Sequence, residues 1–235
     1  MGYGPCTAFS DIVADSSCDY DSERFEDAEL EELTLLFRDR RRDMGAEAAD
    51  MTWFVDPLDA WLACLDNRRR GLDRESIAYL AVGMRGAVSM RDALIVSLIS
   101  AQTDRERLMQ LGVRPHRPAN SSYLGRVLGS TFDDAEGRPD APRCSRGLGM
   151  LVQMVRSVPD AYGVQPMAVI AYVLWWVGDI HAGAYAVRAL AMDGRCTLAL
   201  IVLAALEHGI APAWVGPSAA SVPGHGGARR RETSL

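Results

Sequence analysis

The chain has 235 residues, a formal net charge of −6 and a pI near 5.3, and 49% of its residues are hydrophobic. That length fits one large domain or two small ones, and the apolar fraction supplies a core. The acidic balance argues against general nucleic-acid binding, which needs a basic footprint.

In chain order, residues 1–20 are rich in Gly, Ser, Asp and Cys without a clear period and read as a loose lead-in. From Ser22 to Arg42 the pattern becomes helical, with Phe25, Leu30, Leu33, Leu36 and Phe37 as one stripe. Acids come early and Arg38, Arg40, Arg41 and Arg42 late, the order the helix dipole favours. Residues 1–50 are therefore taken as an acidic, partly disordered lead-in with one helix.

The next unit is a helical segment, 51–111. Asp56-Pro57 reads as an N-cap and first helical residue, and Leu58, Trp61, Leu62 and Leu65 follow at helical spacing. Gly71 reads as the helix stop after Arg68-Arg69-Arg70. Asp73 opens a helix carrying Ile77, Leu80, Ala81 and Met84. Ser89 to Asp92 reads as a capping box before Leu94, Ile95, Leu98 and Ile99.

Residues 112–146 hold Pro115, Pro118, Pro139 and Pro142 with several glycines. They predict a long connection with at most a helical turn near Tyr123 to Leu128. Helix is expected to resume near Leu148 and to end before Pro159.

Residues 147–215 form a C-terminal helical unit. Gly178-Asp179 and Asp193-Gly194 each pair a helix stop with a helix start, so three short helices are expected to stack as an antiparallel unit. Trp175-Trp176 with Tyr172 and Trp214 are the candidate interaction residues, since tryptophan is enriched at binding hot spots. Residues 216–235 read as a disordered tail. Only Val164 and the Tyr3 region suggest a short strand, and the fold class is all-α, a helical bundle with a repeat-like hairpin near the C-terminus.

Chemical motifs are weak. Cys6, Cys18, Cys64, Cys144 and Cys196 are odd in number and lack a C-x-x-C pair, which argues against a disulfide framework and a structural zinc site. His116, His181, His208 and His225 show no metal-binding spacing. Cys196 with His208, and Cys144 with His116, are the candidates for nucleophilic chemistry, but His208 lies about three turns from Cys196, too far along one helix to touch it. Arg146-Gly-Leu-Gly149 lacks the lysine and preceding strand of a phosphate loop. No catalytic residue, metal or cofactor is assigned. The longest apolar run, Met167 to Val177, falls short of the ~20 residues a membrane span needs. No leader segment is visible, and a cytoplasmic location is expected.

The segment around Gly178-Asp179 resembles a tetratricopeptide-repeat hairpin: helix, Gly-Asp turn, a helix ending Ala189-Leu190-Ala191-Met192-Asp193, then a third helix. No second copy follows at a ~34-residue period. A wider resemblance covers roughly residues 60–110 and 148–215. It rests on Arg70 to Leu80, Val88 to Leu94, Val155 to Pro159, the Gly178-Asp179 turn, Ala189-Leu190-Ala191 with Asp193, and Pro212. These resemble an actinobacterial domain family of unknown function. Members carry a Gly-Tyr-Gly-Pro element within an α/β N-terminal half, and here Gly2-Tyr-Gly-Pro5 follows the first Met. The resemblance implies that this chain is the C-terminal portion of such a protein; it implies no activity.

The function expected is a non-catalytic cytoplasmic protein-interaction module, with a protein partner or self-association and no nucleic acid or membrane. Two rivals stay open: an enzyme or small-ligand protein whose site lies in 112–146 or in a missing N-terminal half, and a truncated remnant of a longer family member.

Overall fold

The computed structural model describes residues 24–100 and 104–215. Within them every regular element is an α-helix: α1 (Asp27–Met44), α2 (Ala46–Leu65), α3 (Arg74–Gly86), α4 (Val88–Ile99), α5 (Arg105–Val113), α6 (Pro118–Asp133), α7 (Ala141–Ser157), α8 (Asp160–Val177), α9 (Ala182–Met192) and α10 (Thr197–Glu207). The all-α expectation holds, and Val164 lies inside α8. Tyr3, the lead-in up to Asp21 and the 216–235 tail lie outside the described residues.

Two helices organise the bundle. In α2, Trp53, Phe54, Leu58 and Trp61 are all inaccessible to solvent, and the helix packs on α1, α3, α5 and α7. In α8, the run Pro166 to Trp176 is buried except for the half-buried Tyr172, and α3, α4, α7, α9 and α10 enclose it. A helix that is apolar all round has to be surrounded. One hydrophobic cluster therefore runs from Phe25 to Ala205.

Two polar side chains that enter this core are paired, whereas Trp176 Nε1 is buried without a hydrogen-bond partner. Trp61 Nε1 donates to Ser97 Oγ (2.9 Å), which donates on to the Leu94 carbonyl (2.6 Å). Gln153 exchanges two hydrogen bonds with the backbone of Leu72 (3.2 and 2.9 Å), so one side chain ties α7 to the entry of α3.

Several boundaries differ from the expectation. Helix α2 starts at Ala46, and Pro57 lies inside it. The local Asp-Pro start signal is overridden because Trp53 and Phe54, upstream of the proline, reach the core as helical residues. Helix α1 starts at Asp27 rather than Ser22. Leu36 is 38% exposed, so the α1 stripe rests on Leu30 and Phe37. Helix α2 ends at Leu65 with Asn67 in the left-handed region (φ 59°), not at Gly71. Ser89 does not cap α4; its hydroxyl donates to the Gly112 carbonyl at 2.6 Å and ties α4 to α5.

The largest difference is 112–146, which is no long connection. Pro118 sits in the first turn of α6, where a proline costs no hydrogen bond. Asn120 Nδ2 donates to the carbonyls of Gln110 and Arg114 (3.1 and 2.8 Å), closing the end of α5 onto α6. Asp140 accepts from the Arg143 N–H at 2.9 Å and starts α7 at Ala141, ahead of the expected Leu148.

Asp73 does cap α3, accepting from the Ser76 N–H at 2.7 Å. Gly178 does end α8, in the left-handed region (φ 77°, ψ 23°), with its N–H on the Trp175 carbonyl (3.1 Å). Asp179 Oδ1 then accepts from the His181 N–H and lies 2.9 Å from His181 Nδ1. At the second turn Asp193 Oδ1 accepts from the Arg195 N–H at 3.0 Å. Gly194, with no positive φ, does not use glycine's extra freedom.

A Cβ at Gly178 would stand 3.0 Å from Val215 on a left-handed backbone. Gly178→Ala is expected to cost about 1–2 kcal/mol, read as a lower denaturation midpoint.

Asp50 lies 3.1 Å from Arg41 Nε, is 5% exposed, and is not aligned for a hydrogen bond. Burial lifts its carboxyl above the ordinary 3.8, against the pull of Arg41. The unfolded chain then releases this proton first, so stability falls as pH rises through the window just above 3.8. Asp50→Asn is expected to remove that decline, so its stability relative to the parent chain rises across the window in urea titrations at stepped pH.

Candidate functional site

The four aromatic residues singled out in the sequence do come together, at the C-terminal end of α8. Tyr172 stacks on Trp176 (5.9 Å, 18°), Trp176 meets Trp214 edge-on (5.1 Å, 61°), and Trp175 and Trp176 are 6.0 Å apart. A fifth ring, Phe132 at the end of α6, lies 6.0 Å from Trp175. Sequence reasoning missed it because it fell in the supposed connection.

These rings are core, not surface. Trp175 is 8% and Trp176 1% exposed, while Tyr172 and Trp214 are half-buried. Adjacent residues on a helix point to different sides, so both tryptophans are covered only because α8 is covered on both sides. Burial pushes the Tyr172 hydroxyl well above its ordinary value. Trp175 and Trp176 are thus covered by the chain itself.

What they do provide is rigidity for the segment after α10. Trp175 Nε1 donates to the Ile210 carbonyl (2.9 Å) and Trp214 Nε1 to the Trp176 carbonyl (3.2 Å). The Ala213 N–H donates to the Phe132 carbonyl (2.9 Å), and the Ile210 N–H to Ala205 (2.8 Å). Residues 208–215 therefore fold back over α8 and fix the end of α10.

The feature that is exposed lies on α9 and α10. From Leu198 to Leu206 every residue of α10 is Leu, Ile, Val or Ala. This helix packs on α8 and α9 alone among its main neighbours, burying Leu198, Ala199, Val202 and Ala205. Leu200 and Ile201 are left 47% and 57% exposed, with Ala204 open beside them. Val187 on α9, Ile180 in the preceding turn and Ile210 after α10 are 57%, 83% and 50% exposed. Gly183 on α9 faces Leu206 on α10, where a Cβ would make ordinary contact at 3.4 Å. The sequence signal for this surface was available: α10 has no polar face, and only its place at the edge of the bundle was hidden.

A second feature is an open groove of about 620 Å³ between α2, α3 and the 66–73 turn. Some of its charges are paired: Arg69 with Asp73 across the lining (2.8 Å), and Arg68 and Asp59 with the neighbouring Asp66 (2.8 Å) and Arg105. Its lining includes Arg40, Asp56 and Tyr79 but neither His nor Cys.

The cysteine–histidine pairs do not form. Cys196 precedes α10 and His208 follows it, at opposite ends of the helix. Cys144 is fully buried with its thiol pushed up to about 12 by burial, whereas His116 is exposed. Among the described residues no cluster of three His, Cys, Asp or Glu could hold a metal ion, and no helix is long and apolar enough to cross a membrane.

No protein-family model, curated protein or solved structure matches the chain.

Trp176→Ala is expected to cost about 3–5 kcal/mol in urea denaturation, as for a fully buried large side chain. Trp214→Ala, at a half-buried ring, should cost clearly less in the same titration.

Proposed function

We propose that this chain is a non-catalytic protein-interaction module that presents the outer face of α9 and α10 to a protein partner. One observation carries the reading: α10 is apolar on every side, yet half of it faces solvent. An all-apolar helix is stable in water when it is enclosed, as α8 is. Contiguous exposed apolar surface on an otherwise charged protein marks an interaction site. The face is also held rigid, by the 208–215 strap and by the capped turns at Asp179 and Asp193, so binding costs little ordering entropy. A cytoplasmic setting fits the unpaired, buried Cys64, Cys144 and Cys196.

The tryptophan cluster has a supporting role in this reading. It positions the surface but does not touch the partner. The groove beside α3 is not favoured as the contact, because charged residues such as Arg40, Asp56, Asp59 and Glu75 line it.

A photo-cross-linking residue placed at Leu200 in the producing cell should give a protein adduct, while one at the exposed Glu75 on the opposite region should not. Equal labelling at both positions, or none at Leu200, would contradict the assignment.

A further inference from the structure

We infer that the partner of this face is a second copy of the chain, and that α10 of one copy packs antiparallel on α10 of the other about a two-fold axis. The inference rests on the interaction reading above and names its partner.

The exposed positions of α10 form one seam. Thr197, Leu200, Ile201, Ala204 and His208 are exposed, and their spacing of three and four residues puts them on one side of the helix. The seam is self-complementary. With the axis between residues 200 and 201, Leu200 of one copy stands level with Ile201 of the other, and Thr197 with Ala204, in both halves at once. The large aliphatic pair lies at the centre, and the small pair outside it lets the two backbones approach.

Charge does not oppose like meeting like at this seam. The chain carries −6 overall, which works against self-association through charged surface. The seam has no charged residue between Thr197 and Leu206. Its start carries Arg195, whose side chain is 94% exposed and lies 3.5 Å from Asp193 in a loose surface pair, and its finish carries the exposed Glu207. Antiparallel packing brings the Arg195 end of one copy beside the Glu207 end of the other, twice, and opposes the two helix dipoles. Parallel packing would set Arg195 beside Arg195. Val187 on the neighbouring α9 and Ile210 just after α10 are exposed as well and add apolar area to what a specific interface of ~1,000 Å² requires.

The chain's own tail is a poor occupant. Residues 216–235 are Gly, Pro, Ser, Ala and Arg for the most part, with Val222 and Leu235 as the only larger aliphatics. They cannot lay an apolar stripe along the helix.

The test uses the full chain in sedimentation equilibrium over roughly 1–100 µM, the range in which a small apolar interface associates. The parent chain should be a dimer at the upper end. Ile201→Asp and Ile201→Arg sit at an exposed position and should keep the parent circular dichroism and melting curve. Each alone should associate more than about tenfold more weakly, because the substitution places two like charges at the axis. Mixed in equal amounts, they should re-form a one-to-one dimer, since Asp and Arg then face each other. A parent chain that stays monomeric, a dimer that survives in Ile201→Asp, or a mixture that stays monomeric overturns the proposal. A monomeric parent whose Leu200 cross-linker still captures a different protein removes self-pairing and leaves the interaction reading standing. A monomeric parent whose cross-linker captures nothing removes both.

Discussion

The structure depends on the enclosure of α8. From Pro166 to Val177 this helix has no charged residue and no polar side, and five other helices close over it. Each large side chain taken out of water there contributes on the order of 2 kcal/mol. The entry to α1 is tied to this region too, since the Phe25 N–H donates to the Ser157 carbonyl at 2.8 Å. Helix α2 plays the matching part in the N-terminal portion, and Gln153 and Arg143 on α7 bridge toward it through backbone carbonyls of Leu72 and Ser97.

Much of this architecture was legible in the sequence. Asp73, Gly178 and the three-helix order of 160–207 follow from local chemistry: a side-chain cap, a left-handed stop, and apolar runs of helical length. What was not legible was decided by tertiary contacts. Pro57 looks like a helix start until Trp53 and Phe54 are seen to be core residues on the same helix. Residues 118–133 look like a connection because Gly125 and Gly129 weaken their helical pattern. Neither glycine has a neighbour that requires it, and the helix is held instead by Pro118, the Asn120 hydrogen bonds and Phe132. The four aromatic residues were correctly read as one group. Trp175 and Trp176 are both buried, and the 208–215 strap shows how two adjacent residues of α8 become interior.

Helices α8 and α10 make an instructive pair. Both are apolar all round and both belong to the same hairpin unit. Helix α8 is central and fully covered, while α10 lies at the edge with Leu200 and Ile201 in water. The same composition that demands burial in one helix demands it in the other. That demand, unmet within the described chain, is the physical content of the functional reading. The fixed turns and the strap behind α10 mean that the exposed face is a built surface rather than a frayed end.

On the proposed reading, the outer face of α10 is covered in the working protein. Amide hydrogen exchange of the full chain, followed as protein concentration is raised, tests it most directly. Protection of the amides from Leu198 to Leu206 should increase with concentration, while that of α2 stays constant. Exchange along α10 that is independent of concentration, and unchanged by any partner recovered at Leu200, would contradict the claim.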